Sequence, residues 1–202
     1  MEDVFVARKK NIKIEELREG GTVATGSTRR KAQLKHLRPD LHFEELRGNV
    51  NTRLRKFEES NWEAILMARA GLERIGLEEN ISTILDPIAF VPAVGQGILG
   101  IEVAQSNTDA LKMISELIHE PSWKAALAER ALLRGLGGGC HTPIAAYARY
   151  EDAEFVMDAL VCSPEGSPYY RKQKKSDGND PESLGKELAL ELLEMGAGDR
   201  LD

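Results

Sequence analysis

The sequence has no long apolar run and no sign of a secretion signal. No uninterrupted apolar stretch approaches the ~20 residues that a membrane-spanning helix needs. Met1 is followed by two acidic residues instead of a basic and then apolar segment. We therefore expect a cytoplasmic protein with no membrane partner. The length of 202 residues suits one large domain or two small ones.

Cysteine is scarce as well. The two cysteines, Cys140 and Cys162, have no partner at the spacing of zinc ligands, so no metal site is expected. Without a secretion signal, both are expected to stay as thiols. Cys162 lies in an apolar stretch, which indicates a buried and inert side chain.

Cys140 stands in a different context, directly after three consecutive glycines. A free cysteine is usually a small buried hydrophobe, but burying residues without side chains gains little. An accessible thiol is what a nucleophile requires. His141 is adjacent to the thiol, and neighbouring residues rarely face each other, so we interpret His141 as a surface or anion-contacting residue and not as a base.

An excess of positive charge is also absent. The net charge of −6 argues against a general affinity for nucleic acid, whose binding depends on phosphate neutralisation. The basic residues are nevertheless concentrated in one region, at positions 29, 30, 31, 35, 38, 47, 53, 55 and 56. Few aromatic residues, 5% of the chain, accompany them, which further disfavours a single-strand binder. A local anionic ligand is the better expectation.

Strand and helix patterns alternate in the first half. In order they are "TVATGS", "TRRKAQLKHL", "LHFEEL", "NVNTRLRKFEES" and "WEAILMARA", with either Asn49 or Asn51 able to cap the second helix. This order predicts a parallel α/β layer with its ligand edge at the carboxyl ends of the strands. A crossing segment and a further strand, "GILGIEVA", are expected next.

The second half predicts a compact α+β module. Two helical runs precede Cys140, three strand-like runs joined by short turns follow it, and a last helix begins at Asp180 and Pro181. We expect the helices to cover one face of a small three-stranded antiparallel sheet.

Two strand ends carry arginines. Ser27, Arg29 and Arg30 follow the first strand, where a helix N-terminus and forked guanidinium groups favour an anion. The alternative is an ordinary strand-to-helix turn with surface arginines.

Arg47 and Arg53 flank Gly48 after the second strand, and Arg74 follows the third. Gly48 permits close backbone approach. Solvated surface charges are the alternative at each position, but the repetition at one sheet edge favours an anion site.

The ordered set of motifs resembles the porphobilinogen deaminase family. The motifs are "GSTRRKAQL", "RPDL", "RGNVNTRL", "AILMARAGLERIGL", "PAVGQGILGIEV", "AERALLRGLGGGC" and "PIAAYA". The resemblance implies a transferase of tetrapyrrole and heme biosynthesis, hydroxymethylbilane synthase, which condenses four porphobilinogen units with release of ammonia. It also implies a dipyrromethane cofactor held by a thioether to the residue matching Cys140, and porphobilinogen and polypyrrole intermediates as binding partners.

The resemblance further assigns residues and domains. The positions that match cofactor-binding residues of the family are Cys140, Ser27, Arg29, Arg30, Arg47, Gly48, Arg53, Arg74 and Gln96. It implies an α/β, periplasmic-binding-protein-like parallel-sheet domain at 1–91, a hinge and returning segment of another domain at 92–119, and an α+β cofactor-attachment domain at 120–202. Full-length members are usually monomeric.

The family's catalytic aspartate has no match in this sequence, so no catalytic residue is expected here and most of the family's first domain is expected to be missing. We expect the chain alone to be inactive or nearly so. A non-catalytic anion-binding module, with Cys140 incidental, is the alternative function.

Overall fold

The first half of the chain builds a five-stranded sheet with helices on both faces. The computed structural model describes residues 1–138 and 142–200. The strands are β1 (Asp3–Ala7), β2 (Thr22–Ala24), β3 (His42–Glu44), β4 (Ala64–Ala68) and β5 (Thr83–Ile84). The helices are α1 (Thr28–Leu37), α2 (Val50–Glu59) and α3 (Arg69–Glu73), which follow β2, β3 and β4.

The strand order of this first sheet is β3-β2-β4-β1-β5. Strand β2 runs parallel to β3 and β4, which confirms the parallel α/β layer expected from the alternation of patterns. Strand β1 is antiparallel to both of its neighbours, β4 and β5. The sheet is therefore mixed, and its N-terminal strand was not anticipated from the sequence.

The position of β4 in the sheet explains why its sequence is apolar without alternation. Leu66 packs in one core with Phe5 and Leu34, on the α1 side of the sheet. Ile65 and Met67 pack in a second core, on the side of α2 and α3. Because both faces are covered by helices, every residue of the strand has to be apolar.

The second half is the predicted antiparallel module. Its sheet has the order β6-β7-β8, with β6 (Ile144–Glu151), β7 (Glu154–Cys162) and β8 (Tyr169–Ser176). Helices α5 (Glu120–Gly135) and α6 (Pro181–Glu194) pack together on one face of it, in a core that includes Leu132, Met157 and Leu188. Asp180 accepts a hydrogen bond from the backbone N–H of Ser183 and caps α6, as its position before Pro181 indicated.

The connection between the two sheets differs from the prediction. Residues 97–104, expected as a strand, have no strand structure in the described part of the chain. A strand needs a neighbour for its backbone hydrogen bonds, and this segment pairs with no strand of either sheet among the described residues. Helix α4 (Thr108–Ser115) follows and buries none of its residues.

Apolar side chains are exposed along this connection. Leu99 is 85% exposed, Met113 73% and Leu117 70%.

Within the described ranges, no helix is both long enough and apolar enough to cross a membrane.

A small apolar cluster joins the two sheets. Ala32 of α1 and Val91 pack with Ala145, Leu160 and Cys162 of the second sheet. Next to this cluster, the rings of His36 and Tyr169 stack with centroids 3.9 Å apart. Helix α1, which begins with Arg29 and Arg30 in its first turn, is thus packed against the C-terminal module.

A buried carboxylate fixes the connection to the C-terminal module. Glu129 of α5 is 3% exposed. Its two oxygens accept hydrogen bonds from the backbone N–H groups of Gly95, at 2.7 Å, and Ala148, at 2.9 Å. Burial raises the pKa of Glu129 from 4.5 to about 7, although both hydrogen bonds favour the charged form.

Glu129 should give the protein a stability that falls as pH rises. Its pKa is higher in the folded state, so the folded state binds a proton more tightly between about pH 4.5 and 7. The free energy of unfolding should therefore decrease through that window, by at most about 3 kcal/mol, and level off above it. Urea unfolding at a series of pH values measures this.

The matched variant is Glu129→Gln, which cannot titrate. The difference between the two stability profiles isolates this one group. Parallel profiles for the two proteins would contradict the assignment.

Candidate anion and cofactor site

The first arginine-bearing turn lies between β2 and α1. Ser27 is the N-cap of α1, and its hydroxyl accepts a hydrogen bond from the backbone N–H of Arg30 at 3.4 Å. Arg29 and Arg30 occupy the first turn of the helix, only 5% and 8% exposed. The alternative of surface arginines is therefore wrong for this pair, because both guanidinium groups lie inside the protein.

The group that these arginines contact is Asp3 at the start of β1. Arg29 Nη2 lies 2.7 Å from Asp3 Oδ2. Arg30 Nε donates to Asp3 Oδ1 at 2.9 Å, and Arg30 Nη2 lies 2.8 Å from the same oxygen. The Asp3 side chain is completely buried. One internal carboxylate thus pairs with two adjacent guanidinium groups.

Gln96 completes this group. Its Nε2 donates to Asp3 Oδ1 at 3.0 Å, and its Oε1 accepts from Arg29 at 3.4 Å and from Arg30 at 3.5 Å. We call Asp3, Arg29, Arg30 and Gln96 the Asp3 cluster. It joins β1, α1 and the segment after Val91, three parts of the chain that are distant in sequence.

The hydrogen-bonding capacity and the charge of Arg29 are only partly satisfied in this cluster. Arg29 Nη1 donates to the backbone carbonyl of Val91 at 2.7 Å. Its Nε is buried and has no hydrogen-bond partner among the described residues. Burial lowers the pKa of Arg29 to about 10, opposed by Asp3 and assisted by the charge of Arg30. The environment of Arg29 therefore favours an additional anion.

Arg53 lies near the cluster. Its Nε donates to the carbonyl of Gly48 at 2.8 Å. Burial lowers the pKa of Arg53, and the charge of Arg30 lowers it further, which places the two guanidinium groups within electrostatic range of each other. Gly48 has a φ of 122°, a conformation that residues with a side chain rarely adopt.

Arg47 and Arg74 are placed differently. Arg47 is exposed, and its Nε lies 2.5 Å from Glu45 Oε1. Arg74 is also exposed, at the C-terminus of α3. The structure brings Ser27, Arg29, Arg30, Arg53 and Gln96 together, but it does not bury the other two arginines with them.

Cys140 falls outside the described residues, so its predicted role stays a prediction. Cys162 is buried in β7, as its apolar context indicated. Burial raises the pKa of the Cys162 thiol to about 11. A thiol of that pKa is protonated near neutral pH and is a poor nucleophile.

Sequence reasoning missed Asp3 and Glu129. The only signal for Asp3 is a carboxylate at the first position of the apolar stretch "DVFVA". Glu129 lies among the small apolar residues of "AALAERALL". Charged residues are rarely buried without partners, and the partners of both are too distant in sequence for spacing to reveal.

The buried cluster fits a ligand that carries carboxylates. Asp3 pairs with two guanidinium groups, those of Arg29 and Arg30, and Arg53 lies within electrostatic range of Arg30, so positive charge is in excess within the cluster. A cleft of about 280 Å³ adjoins this turn, but its lining, 25–28, Lys31, Phe43, Glu44 and Glu45, carries two carboxylates and does not include the three arginines. Arginine is the residue that best matches the planar geometry of a carboxylate.

Asn49 is the helix cap beside Gly48 and Arg53. Its Oδ1 accepts from the backbone N–H of Thr52 at 2.9 Å, which decides between the two asparagines considered above. Asn49→Ala should lower the free energy of unfolding by about 1 kcal/mol, measured by urea denaturation.

Asn51→Ala is the matched control. Asn51 is exposed inside α2, where alanine is the better helix former, so its stability should be unchanged or slightly higher. Equal losses for the two variants would contradict the capping role.

Two family models match successive parts of this chain. The model for "Porphobilinogen deaminase, dipyromethane cofactor binding domain" matches residues 1–112, which include the Asp3 cluster and Arg53. The model for "Porphobilinogen deaminase, C-terminal domain" matches residues 123–194.

Individual relatives align over almost the whole chain. Porphobilinogen deaminase of Desulforudis audaxviator is 44% identical over 98% of the chain and 64% of the relative. Those of Pelotomaculum thermopropionicum and a Synechococcus strain are 41% and 40% identical, again over 98% of the chain, and over 64% and 62% of the relatives. The chain thus spans a little under two thirds of the length of these proteins. With both family domains matched in order, the chain belongs to the porphobilinogen deaminase family.

Proposed function

We propose that this chain supplies the cofactor-holding part of a hydroxymethylbilane synthase. The proposed reaction condenses four porphobilinogen units and releases ammonia, which makes the protein a transferase. The observation that carries the proposal is the buried arginine cluster with an excess of positive charge, in the region that matches the family's cofactor-binding domain. Porphobilinogen carries an acetate and a propionate, so each ring brings two carboxylates to such a site.

The arginines are proposed to bind these carboxylates. Positive charge that is already in place requires little rearrangement when an anion arrives. The residues assigned to this role are Ser27, Arg29, Arg30, Arg47, Gly48, Arg53, Arg74 and Gln96. The buried members provide fixed donors, whereas Arg74 is exposed and Arg47 would have to exchange its exposed ion pair with Glu45 for a ligand.

Dipyrromethane is proposed to be attached to Cys140 through a thioether. When bound, this group supplies the pyrrole end to which porphobilinogen units are added. The proposal takes support from the contrast between the two cysteines, since Cys162 is buried and protonated while Cys140 follows a run of glycines. Arginines of the first sheet would hold the carboxylates of the attached group.

The chain is proposed to consist of three functional segments. Residues 1–91 form the arginine-bearing α/β domain, 92–119 form a hinge and a segment belonging to another domain, and 120–202 form the cofactor-attachment domain. The exposed apolar side chains of Leu99, Met113 and Leu117 support the middle assignment, because exposed apolar surface of this kind is typical of an interface.

The attachment is tested by intact-mass measurement after incubation with porphobilinogen. The chain is used alone and mixed with a polypeptide corresponding to the remaining third of the Desulforudis relative. We expect a mass increase of one dipyrromethane in at least one of the two preparations. Cys140→Ala should abolish the increase, because it removes the sulfur.

Cys162→Ala is the matched control and should keep the adduct, since that thiol is buried. Absence of an adduct in both preparations, or an adduct that survives Cys140→Ala, would overturn the proposal. Binding of porphobilinogen without an adduct would instead favour a non-catalytic anion-binding module.

The activity of these 202 residues alone should be very low. The family's catalytic aspartate has no match among them, and loss of one charge-stabilising group commonly costs ~10² to 10³ in rate. We expect ammonia release from porphobilinogen to be near background for the chain alone. Adding the complementary polypeptide should increase it, which a coupled ammonia assay measures.

Formation of the linear tetrapyrrole by the purified chain alone would contradict this expectation. It would mean that a carboxylate within the 202 residues performs the role of the aspartate.

A further inference from the structure

We infer that Asp3 is a positioning residue for the ligand-binding arginines: its buried carboxylate holds Arg29 and Arg30 in the orientation in which they meet an anion. The inference rests on the proposed function for the identity of the ligand. It does not rest on that function for the geometry, which the Asp3 cluster itself provides.

The two carboxylate oxygens of Asp3 contact different arginines. Asp3 Oδ2 forms an ion pair with Arg29 Nη2 at 2.7 Å but has no hydrogen bond among the described residues, while Oδ1 accepts hydrogen bonds from Arg30 Nε and Gln96 Nε2 at 2.9 and 3.0 Å. An amide in place of the carboxylate has one acceptor oxygen and an NH₂ group that repels a guanidinium group. An asparagine could therefore hold at most one of the two arginines.

The location of Asp3 makes it a fixed reference point. Its backbone carbonyl accepts from the N–H of Leu85, and its Cα is in register with Ala68 on the central strand β4. The carboxylate is thus held by the sheet, whereas arginine side chains have many rotamers of their own. If both guanidinium groups are fixed before a ligand binds, the entropy cost of ordering the two arginine side chains is not part of the binding step.

The second sheet contains a closely similar arrangement. Asp158 of β7 is 1% exposed, and its oxygens lie 2.8 Å from Arg149 Nη1 and 2.9 Å from Arg171 Nη2. Gln173 also donates to this carboxylate, at 3.1 Å. One aspartate, two arginines and one glutamine occur in both places, but only the Asp3 cluster lies at the arginine-bearing turn. Asp158→Asn is therefore a matched control for the structural effect of losing a buried carboxylate.

The hold of Asp3 on the arginines is tested with phenylglyoxal, which modifies accessible guanidinium groups that are not held in ion pairs. Peptide mass mapping then gives a rate for each arginine. In the unmodified sequence, Arg29 and Arg30 should react far more slowly than the exposed Arg47 and Arg74. Equal rates would overturn the inference whether or not any variant folds.

Asp3→Asn should increase the rates at Arg29 and Arg30 by about 10- to 100-fold, the range expected when a hydrogen bond to a charged group is lost. Asp158→Asn should leave those two rates unchanged and increase the rates at Arg149 and Arg171. Circular dichroism and thermal melting confirm that each variant is folded under the labelling conditions. Full protection of Arg29 and Arg30 in folded Asp3→Asn would overturn the inference.

A binding measurement separates positioning from simple charge neutralisation. Porphobilinogen is titrated calorimetrically into the wild-type chain and the two variants. Positioning predicts about tenfold weaker binding in Asp3→Asn and unchanged binding in Asp158→Asn. Tighter binding in Asp3→Asn would mean that Asp3 only neutralises charge, and it would overturn the inference.

The two proposals fail in different ways. If the wild-type chain does not bind porphobilinogen, the proposed function is at fault, and the phenylglyoxal rates still decide the role of Asp3. If porphobilinogen binds but Asp3→Asn changes neither the rates nor the affinity, the inference about Asp3 is wrong and the proposed function stands.

Discussion

The buried carboxylate of Asp3 is the interaction on which the arrangement of this protein depends. Two adjacent arginines in the first turn of α1 are carried into the interior, where an unpaired guanidinium group is strongly unfavourable. Asp3 pairs with both, and Gln96 bonds to all three. Because these residues come from β1, α1 and the segment after Val91, the same ion pairs that compensate the charges also fix the first sheet relative to the connection.

The positive charge of the arginines is not fully balanced by carboxylates within the cluster. The positive groups outnumber the one carboxylate, and burial lowers the pKa of Arg29 to about 10. Stability alone would be better served by apolar residues of similar volume, since buried ion pairs seldom repay their desolvation. The ligand proposed above, which carries carboxylates, would account for retaining the charges.

The two halves of the chain are joined by elements that serve both. Helix α1 carries the arginines on its first turn and packs Ala32 against the second sheet. Glu129 of α5 holds Gly95 immediately before Gln96 of the Asp3 cluster. The C-terminal module and the arginines are thus connected through a short series of contacts.

The sequence by itself determined the parallel strands β2, β3 and β4, the three strands of the second sheet, the helices that cover them, the cap at Asn49 or Asn51, the buried Cys162 and the family. Local signals suffice for these, because apolar periodicity, capping residues and ordered motifs lie within short stretches. It did not reveal β1 or β5, and it predicted a strand at 97–104 that is not found among the described residues. Only the tertiary structure decided that Arg29 and Arg30 are buried, that Arg47 and Arg74 are exposed, and that Asp3 and Gln96 join the first pair. Those facts depend on contacts between residues up to 93 positions apart, and no local pattern records them.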